Sequence, residues 1–315
     1  MTAGHGASRG GRATVLGGTG WVGRHICAAF AGHGYDVTVV ARHHAPHLAG
    51  YAFRPCDLAT ATTDSLKELL RSTRAEVVIN ATDAANAIDG WDRTEADLSL
   101  MNVESVERLL TAVRRLPRQP RLVHIGTVHE YGPVSGLIGE SVEPRPVNAY
   151  ARTKLRGSQA VIEAARCGAV RGLVLRLANV CGPHPSPASF PGKLLESLRR
   201  AAAGEQVSLT VADAHRDFFD VRDAAEATLL AARSTVTGTA VNLGRGATVS
   251  MRALVAQFLA VAGLTSDAVT VRTAPVPSLG GDWVHVDVEP AHRLLGWRPR
   301  TDLRESLRAM WEARH

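Results

Sequence analysis

Along the first two thirds of the chain, apolar residues fall into short β-branched runs separated by stretches where they recur every three or four positions. Ala13–Leu16, Asp36–Val40, Glu76–Ile79, Arg121–Ile125 and Leu173–Leu177 read as buried strands. Trp21–Gly32 reads as helix, and so does Ala96–Arg115, where Leu98, Met101, Val106, Leu109, Leu110 and Val113 share one face. Strands alternating with helices predict a parallel sheet covered by helices. After Gly182-Pro183 the pattern loosens into a loop rich in Pro and Ser, His184 to Pro191. A helix over Gly192–Ala203, a strand over Val207–Thr210, a helix over Asp220–Ala232 and a strand over Ala240–Leu243 follow, the last placed to rejoin the first sheet. Ser250 caps a helix reaching Ala262, and Asp302–Arg314 forms a terminal amphipathic helix.

Gly17-Gly18-Thr19-Gly20-Trp21-Val22-Gly23 lies between the first strand and the first helix, the context that gives a glycine pattern chemical meaning. Glycine lets the turn close and lets backbone amides approach a pyrophosphate, and the helix N-terminus adds partial positive charge. Gly17, Thr19, Gly20, Trp21, Val22 and Gly23 are therefore candidate contacts to a dinucleotide. An NAD site usually carries an acidic residue after the second strand; here Ala41 stands there and Arg42 follows. A guanidinium suits a 2′-phosphate, so NADP is expected, with NAD as the alternative. Asp57, Leu58 and Ala81 are placed with this group, Asp57 as an acceptor for the adenine amino group.

Tyr150 and Lys154 sit four residues apart at the start of an amphipathic helix running to Cys167, and so share a face. A free tyrosine ionises near pH 10; a neighbouring ammonium is expected to lower that value and make the phenol a usable acid–base group. Thr127 ends the strand before this helix, where parallel sheets place ligands, and its hydroxyl is expected to orient a carbonyl. Thr127, Tyr150 and Lys154 form the candidate catalytic set.

Composition narrows the partners. The chain has 315 residues, a net charge of +6 and a pI near 9.5, yet its basic residues are scattered, which argues against a nucleic-acid partner. No apolar run is long enough to span a bilayer, and Met1–Arg12 reads as a flexible polar lead-in; a cytoplasmic protein is expected. Cys27, Cys56, Cys167 and Cys181 lack metal or disulfide spacing, and His43, His44 and His47 read as surface residues, so no metal site is expected.

Together these motifs make the chain resemble an extended short-chain dehydrogenase/reductase of the NAD-dependent epimerase/dehydratase family over about residues 13–312. Gly17, Gly20 and Gly23 fall on its glycine pattern, and Thr127, Tyr150 and Lys154 on its Ser/Thr–Tyr–Lys triad. The stretch from Arg176 to Pro183 resembles its Arg-x-x-Asn-x-x-Gly-Pro segment, His215-Arg216-Asp217-Phe218 its Arg-Asp-Phe segment, and Leu295-Gly296-Trp297-Arg298-Pro299 its late Leu-Gly-Trp-x-Pro signature. The resemblance implies an α/β Rossmann fold, a doubly wound parallel sheet with a smaller interleaved C-terminal lobe. Residues 13–181 and 217–245 would form the NADP-binding part, and residues 182–216 and 246–315 the substrate lobe. It further implies a nucleotide-sugar substrate, with Asn179 and Arg216 facing its diphosphate and His129 and Lys193 as further substrate contacts, and a homodimer.

Departures from the family pattern exclude some activities. Val128-His129 replaces the Asp-Glu pair of members that dehydrate a hexose, and the glutamate of members that decarboxylate sugar acids. The expectation is net reduction of a keto group on a nucleotide-activated deoxysugar, of the 4-ketoreductase type, with Tyr150 as proton donor. An epimerase holding NAD, a reductase of a non-sugar ketone and a catalytically silent NADP sensor are the competing readings.

Overall fold

A computed structural model of the chain describes residues 10–83, 93–134, 136–275 and 283–313. Most of the expected lead-in and Arg314 lie outside the described residues. The glycine-flanked first strand, β1 (Arg12–Leu16), is followed by helix α1 (Trp21–Gly32), then β2 (Asp36–Ala41), β3 (Ala52–Pro55), β4 (Val77–Asn80) and β5 (Arg121–Thr127). With strands Arg171–Leu177 and Ala240–Leu243 they make a seven-stranded sheet in the order Ala240–Leu243, Arg171–Leu177, β5, β4, β1, β2, β3. All pairings are parallel. The strand order reverses beside β1, so the C-terminal ends of β1 and β4 flank the crevice where such sheets bind ligands.

Side chains of successive strand residues enter opposite cores. Val15, Val39, Ile79 and Val123 pack with Ile26 and Phe30 of α1 and with Ala224 and Ala227 of helix Val221–Arg233. Their neighbours Leu16, Val40, Val78 and Leu122 pack on the other face with Leu66, Leu109 and Val161. Burial on both faces explains why these strands read as continuous apolar runs.

Several elements differ from the expected pattern, two of them close to the candidate site. β3 was absent from the sequence pattern because it is an edge strand: Ala52, Arg54 and Pro55 are exposed, and Pro is tolerated only at such an edge. The expected helix over Ala96–Arg115 is instead a helical turn at Glu95–Ser99, a π segment at Leu100–Glu104 and a helix at Ser105–Arg114. The wide turn directs the Asn102 side chain onto Thr153 Oγ1 at 3.0 Å. A Cβ at Gly157 would run into the Asn102 carbonyl, so glycine there permits the close approach of the two helices.

The rest of the chain builds a second layer. Strands Thr248–Ser250, His215–Asp220, Trp283–Val286 and Leu137–Ile138 form a mixed sheet, joined by Asn179–Cys181 pairing with His215–Asp220. A parallel pair, Val207–Ala212 with Val269–Ala274, packs with helices Phe190–Ala202, Met251–Ala262 and Leu303–Glu312 around Leu198, Phe258 and Met310. The late Leu-Gly-Trp motif anchors the two layers. Gly296 ends its helix in the left-handed conformation (φ 66°), and buried Trp297 donates its indole N–H to the Asp223 carbonyl at 3.0 Å. Among the described residues no helix is long and apolar enough to cross a membrane.

Candidate active site

The glycine turn has the shape its sequence implies. Gly17 has φ 79°, a conformation that disfavours side chains, and a Cβ on it would also press on the Ala81 carbonyl carbon at 3.0 Å. A Cβ on Gly23 would collide with the Gly17 carbonyl, so only glycine lets α1 start this close to β1. Gly20 is the N-cap, and the first turn of α1 contains no acidic residue. Thr19, Gly20, Trp21 and Val22 thus surround a helix N-terminus open to an anion, a cradle that fits a dinucleotide pyrophosphate. The Trp21 indole N–H donates to the Pro183 carbonyl at 3.0 Å, and His25 Nε2 reaches the same oxygen at 3.1 Å, tying the turn to the Asn179–Pro183 segment.

Arg42 is exposed just beyond β2. Asp57 and Leu58 follow β3; the Asp57 carboxylate accepts from the Ala59 amide at 3.0 Å, and Leu58 is buried. Ala81 continues β4 and donates its amide to Leu16. These residues line the ends of β2, β3 and β4, side by side with the end of β1 that carries the glycines. Among the described residues, no group of three or more His, Cys, Asp or Glu is placed to hold a metal ion.

Thr127 closes β5, buried, and its hydroxyl accepts from the His129 amide at 3.3 Å. Its own amide donates to Glu130 Oε1 at 3.0 Å. Glu130 is fully buried and ion-paired to Arg176 at 2.7 Å; it also accepts from Ser158 at 2.8 Å. Arg176 in turn donates to the Tyr131 hydroxyl at 2.9 Å, and that hydroxyl donates to Asn242 at 2.9 Å. Arg176, the first residue of the Arg-x-x-Asn segment, therefore braces the turn that carries Thr127.

Asn148 caps helix Ala149–Arg166, accepting from the Ala151 amide, which sets Tyr150 and Lys154 in its first two turns. The buried Lys154 ammonium donates to the Ile125 carbonyl at 2.8 Å. The half-buried Tyr150 hydroxyl donates to the Asp83 carboxylate at 2.8 Å. Here the arrangement departs from the sequence expectation. Burial and the Asp83 charge push the Tyr150 phenol well above its ordinary value, whereas Lys154 was expected to lower it. The ammonium is occupied with the β5 backbone, and a carboxylate, not a cation, holds the phenol.

The substrate-side residues gather only in part. Asn179 and Arg216 come from adjacent paired strands, and Asn179 donates to the Asp217 carbonyl at 3.2 Å. His129 lies close enough to Arg216 for its charge, added to burial, to hold the imidazole down to about 4, so it is neutral near pH 7. Among the described residues, the buried His129 Nδ1 has no hydrogen-bond partner. Lys193 stands apart: it is exposed on helix Phe190–Ala202, beside a shallow cavity lined by Pro185, Pro187 and Glu196.

Three residues escaped sequence reasoning. Asp83 has no motif around it beyond its position after a buried strand. Glu130 looks like a surface residue until its partner Arg176 is known. Arg245, after strand Ala240–Leu243, is tied to the strand that carries Arg216: its amide donates to Asp217 at 2.7 Å, while among the described residues its buried Nε has no hydrogen-bond partner. The Leu-Gly-Arg-Gly run at the end of a parallel strand was the available signal.

Residues 13–244 match the NAD dependent epimerase/dehydratase family, and the chain belongs to that family. It is 37% identical over 99% of its length, and 98% of the relative's, to the dTDP-6-deoxy-L-talose 4-dehydrogenase (NAD(P)(+)) of Kitasatospora kifunensis. It is 25% identical to the UDP-glucose 4-epimerase of Rhizobium leguminosarum bv. trifolii, with 95% of each chain covered. Among solved structures, the Thermus thermophilus UDP-glucose 4-epimerase in complex with NAD superposes with a TM-score of 0.84 at 24% identity, covering 96% of this chain and 98% of that one. The protein is an NAD(P)-dependent oxidoreductase of the extended short-chain dehydrogenase/reductase type.

Proposed function

We propose that this chain interconverts a keto group and a hydroxyl at carbon 4 of a dTDP-activated deoxysugar, working as an NADPH-dependent 4-ketoreductase. The observation that supports the reading is that Thr127 ends β5, Tyr150 and Lys154 share the first turns of helix Ala149–Arg166, and the Lys154 ammonium bonds the Ile125 carbonyl two residues before Thr127. The full-length relative from Kitasatospora kifunensis, whose name specifies a 4-dehydrogenase, supports carbon 4 as the reacting centre. Dehydrogenation and ketone reduction are one reaction in opposite directions, and the same residues serve both.

In this reading the amides of the Gly17–Gly23 turn hold the cofactor pyrophosphate, Arg42 holds the 2′-phosphate, and Asp57, Leu58 and Ala81 flank the adenine and nicotinamide ends. A reduced nicotinamide bound there supplies hydride. Thr127 orients the substrate carbonyl, Tyr150 gives its proton to the carbonyl oxygen, and Lys154 holds the nicotinamide ribose. Neutral His129 offers a hydrogen bond to a sugar hydroxyl, and Asn179, Arg216 and Arg245 bind the diphosphate. Residues 182–216 and 246–315 supply most of the wall on the substrate side.

The test is nicotinamide absorbance with a dTDP-4-keto-6-deoxyhexose, NADPH and NADH in parallel, and dTDP-6-deoxy-L-talose with the oxidised cofactors. Faster turnover with the phosphorylated cofactor is expected. Absence of net cofactor oxidation, with NAD released from the denatured purified protein, would transfer the assignment to sugar epimerisation.

A further inference from the structure

Asp83 lies at the mouth of the crevice, three residues beyond β4, and is exposed to solvent. Its Oδ2 accepts the Tyr150 hydroxyl at 2.8 Å. Among the described residues, the charged groups acting on that phenol are Asp83 from the end of β4 and Glu130 from the turn after β5, and Lys154 lies one turn along the same helix. Glu130 is ion-paired to Arg176, and Lys154 gives one of its three N–H donors to the Ile125 carbonyl. Of these three, Asp83 bonds the reacting oxygen directly and also reaches water.

We propose that Asp83 is the proton partner of Tyr150, holding the phenol as an acid between turnovers and returning a solvent proton to its oxygen after each reduction. This rests on the ketoreductase reading above and assigns a positioning residue that acts through Tyr150. In the reducing direction the substrate carbonyl carbon gains a hydride from the reduced nicotinamide cofactor. The carbonyl oxygen gains the Tyr150 proton as the phenolic O–H bond breaks. The phenolate oxygen is then reprotonated through the Asp83 carboxyl, which takes its proton from water or buffer. One hydride and one proton enter the substrate, and one solvent proton restores the enzyme. A phenolate beside an ionised carboxylate is disfavoured by repulsion between like charges, which drives that return.

The pairing can be tested without cofactor or substrate. The chain has four tyrosines, so ultraviolet titration of the free protein minus that of the Tyr150→Phe variant isolates one phenol. The wild-type midpoint is expected above the free-tyrosine value of about 10. Asp83→Asn keeps a hydrogen-bond acceptor but removes the charge, and should lower the midpoint by about one unit, tenfold in ionisation constant. Asp83→Glu should restore it. Coincident wild-type and Asp83→Asn curves would overturn the proposal.

The relay is tested in turnover. Asp83→Ala should lose about tenfold in kcat for ketone reduction, less than the roughly hundredfold or more that a group acting directly on the substrate would cost, and added formate should restore it. A kcat equal to wild type and insensitive to formate would overturn the relay. If no ketone is reduced by any variant while the titration shift is present, the substrate assignment fails and the Tyr150–Asp83 pairing stands.

Discussion

Arg42 shows how one side chain can set cofactor choice. It projects into solvent beyond β2, and among the described residues it has no hydrogen-bond or ion-pair partner that would give it a structural task. A charge-assisted bond is worth about 1.5–3 kcal/mol, so its loss is a large and selective effect. Arg42→Ala should raise KM for NADPH at least about tenfold while leaving KM for NADH within a factor of about two. Equal KM changes for both cofactors in steady-state kinetics would remove Arg42 from the 2′-phosphate site. Legibility at this scale follows sequence distance. Tyr150 and Lys154 were readable because one helical turn relates them, and Thr127 because it ends a recognisable strand. Asp83 was not, since its chemistry exists only through a phenol 67 positions away. The same distance hid the sense of the Tyr150 shift, because spacing along a helix does not show that Lys154 turns to the Ile125 carbonyl.

At the scale of elements, the turn after β5 is held by a polar network inside the core. Glu130 and Arg176 are both buried and bonded at 2.7 Å, the guanidinium lies 4.6 Å from the Tyr131 ring centre, and Tyr131 passes the chain on to Asn242. Removing one member of such a pair strands the other charge without water, which costs about 3–5 kcal/mol. Arg176→Ala should therefore lower unfolding free energy by that amount in urea denaturation. It should also weaken catalysis, because Glu130 would no longer be fixed beneath the Thr127 amide. A change under about 1 kcal/mol would mean that the pair contributes little beyond what water supplies. The apolar runs that hold Val15 with Leu16 and Leu122 with Val123 are legible in the sequence as strands buried on both faces, and each pair does divide between the two cores. Elements that violate the averages were hidden. β3 has little apolar signal because it is an edge, and the π segment at Leu100–Glu104 looks helical by period although its bonding is wider. Both sit where chain geometry is decided by contacts with distant partners, such as Asn102 with Thr153.

At the scale of the molecule, the two layers meet through groups whose protonation is coupled to folding. His25 joins α1 to the Pro183 carbonyl, and His129 faces Arg216; burial, with adjacent positive charge, holds both imidazoles down to about 4. His124, fully buried beside Asn80 and near Lys154, is held well below the ordinary histidine range. In the unfolded chain these groups titrate near 6.5, so below that pH the unfolded state binds protons that the native state refuses. Stability must then fall as pH drops from 7 toward 5, by up to about 2 kcal/mol per fully shifted histidine at pH 5. Half-buried Glu140 and buried Asp217 and Asp223 are shifted up by desolvation and act in the opposite sense. Their unfolded values lie near 4, so between pH 7 and 5 the histidines set the sign unless the carboxyls are shifted above that window. His25→Gln keeps a donor for the Pro183 carbonyl and removes the titration, so it isolates one contribution. Urea unfolding at pH 7 and pH 5 should show a smaller loss of stability in this variant than in the wild type, by about 1–2 kcal/mol. Identical losses in the two proteins would show that protonation of His25 is not linked to the docking of the glycine-turn helix onto the Gly182-Pro183 segment.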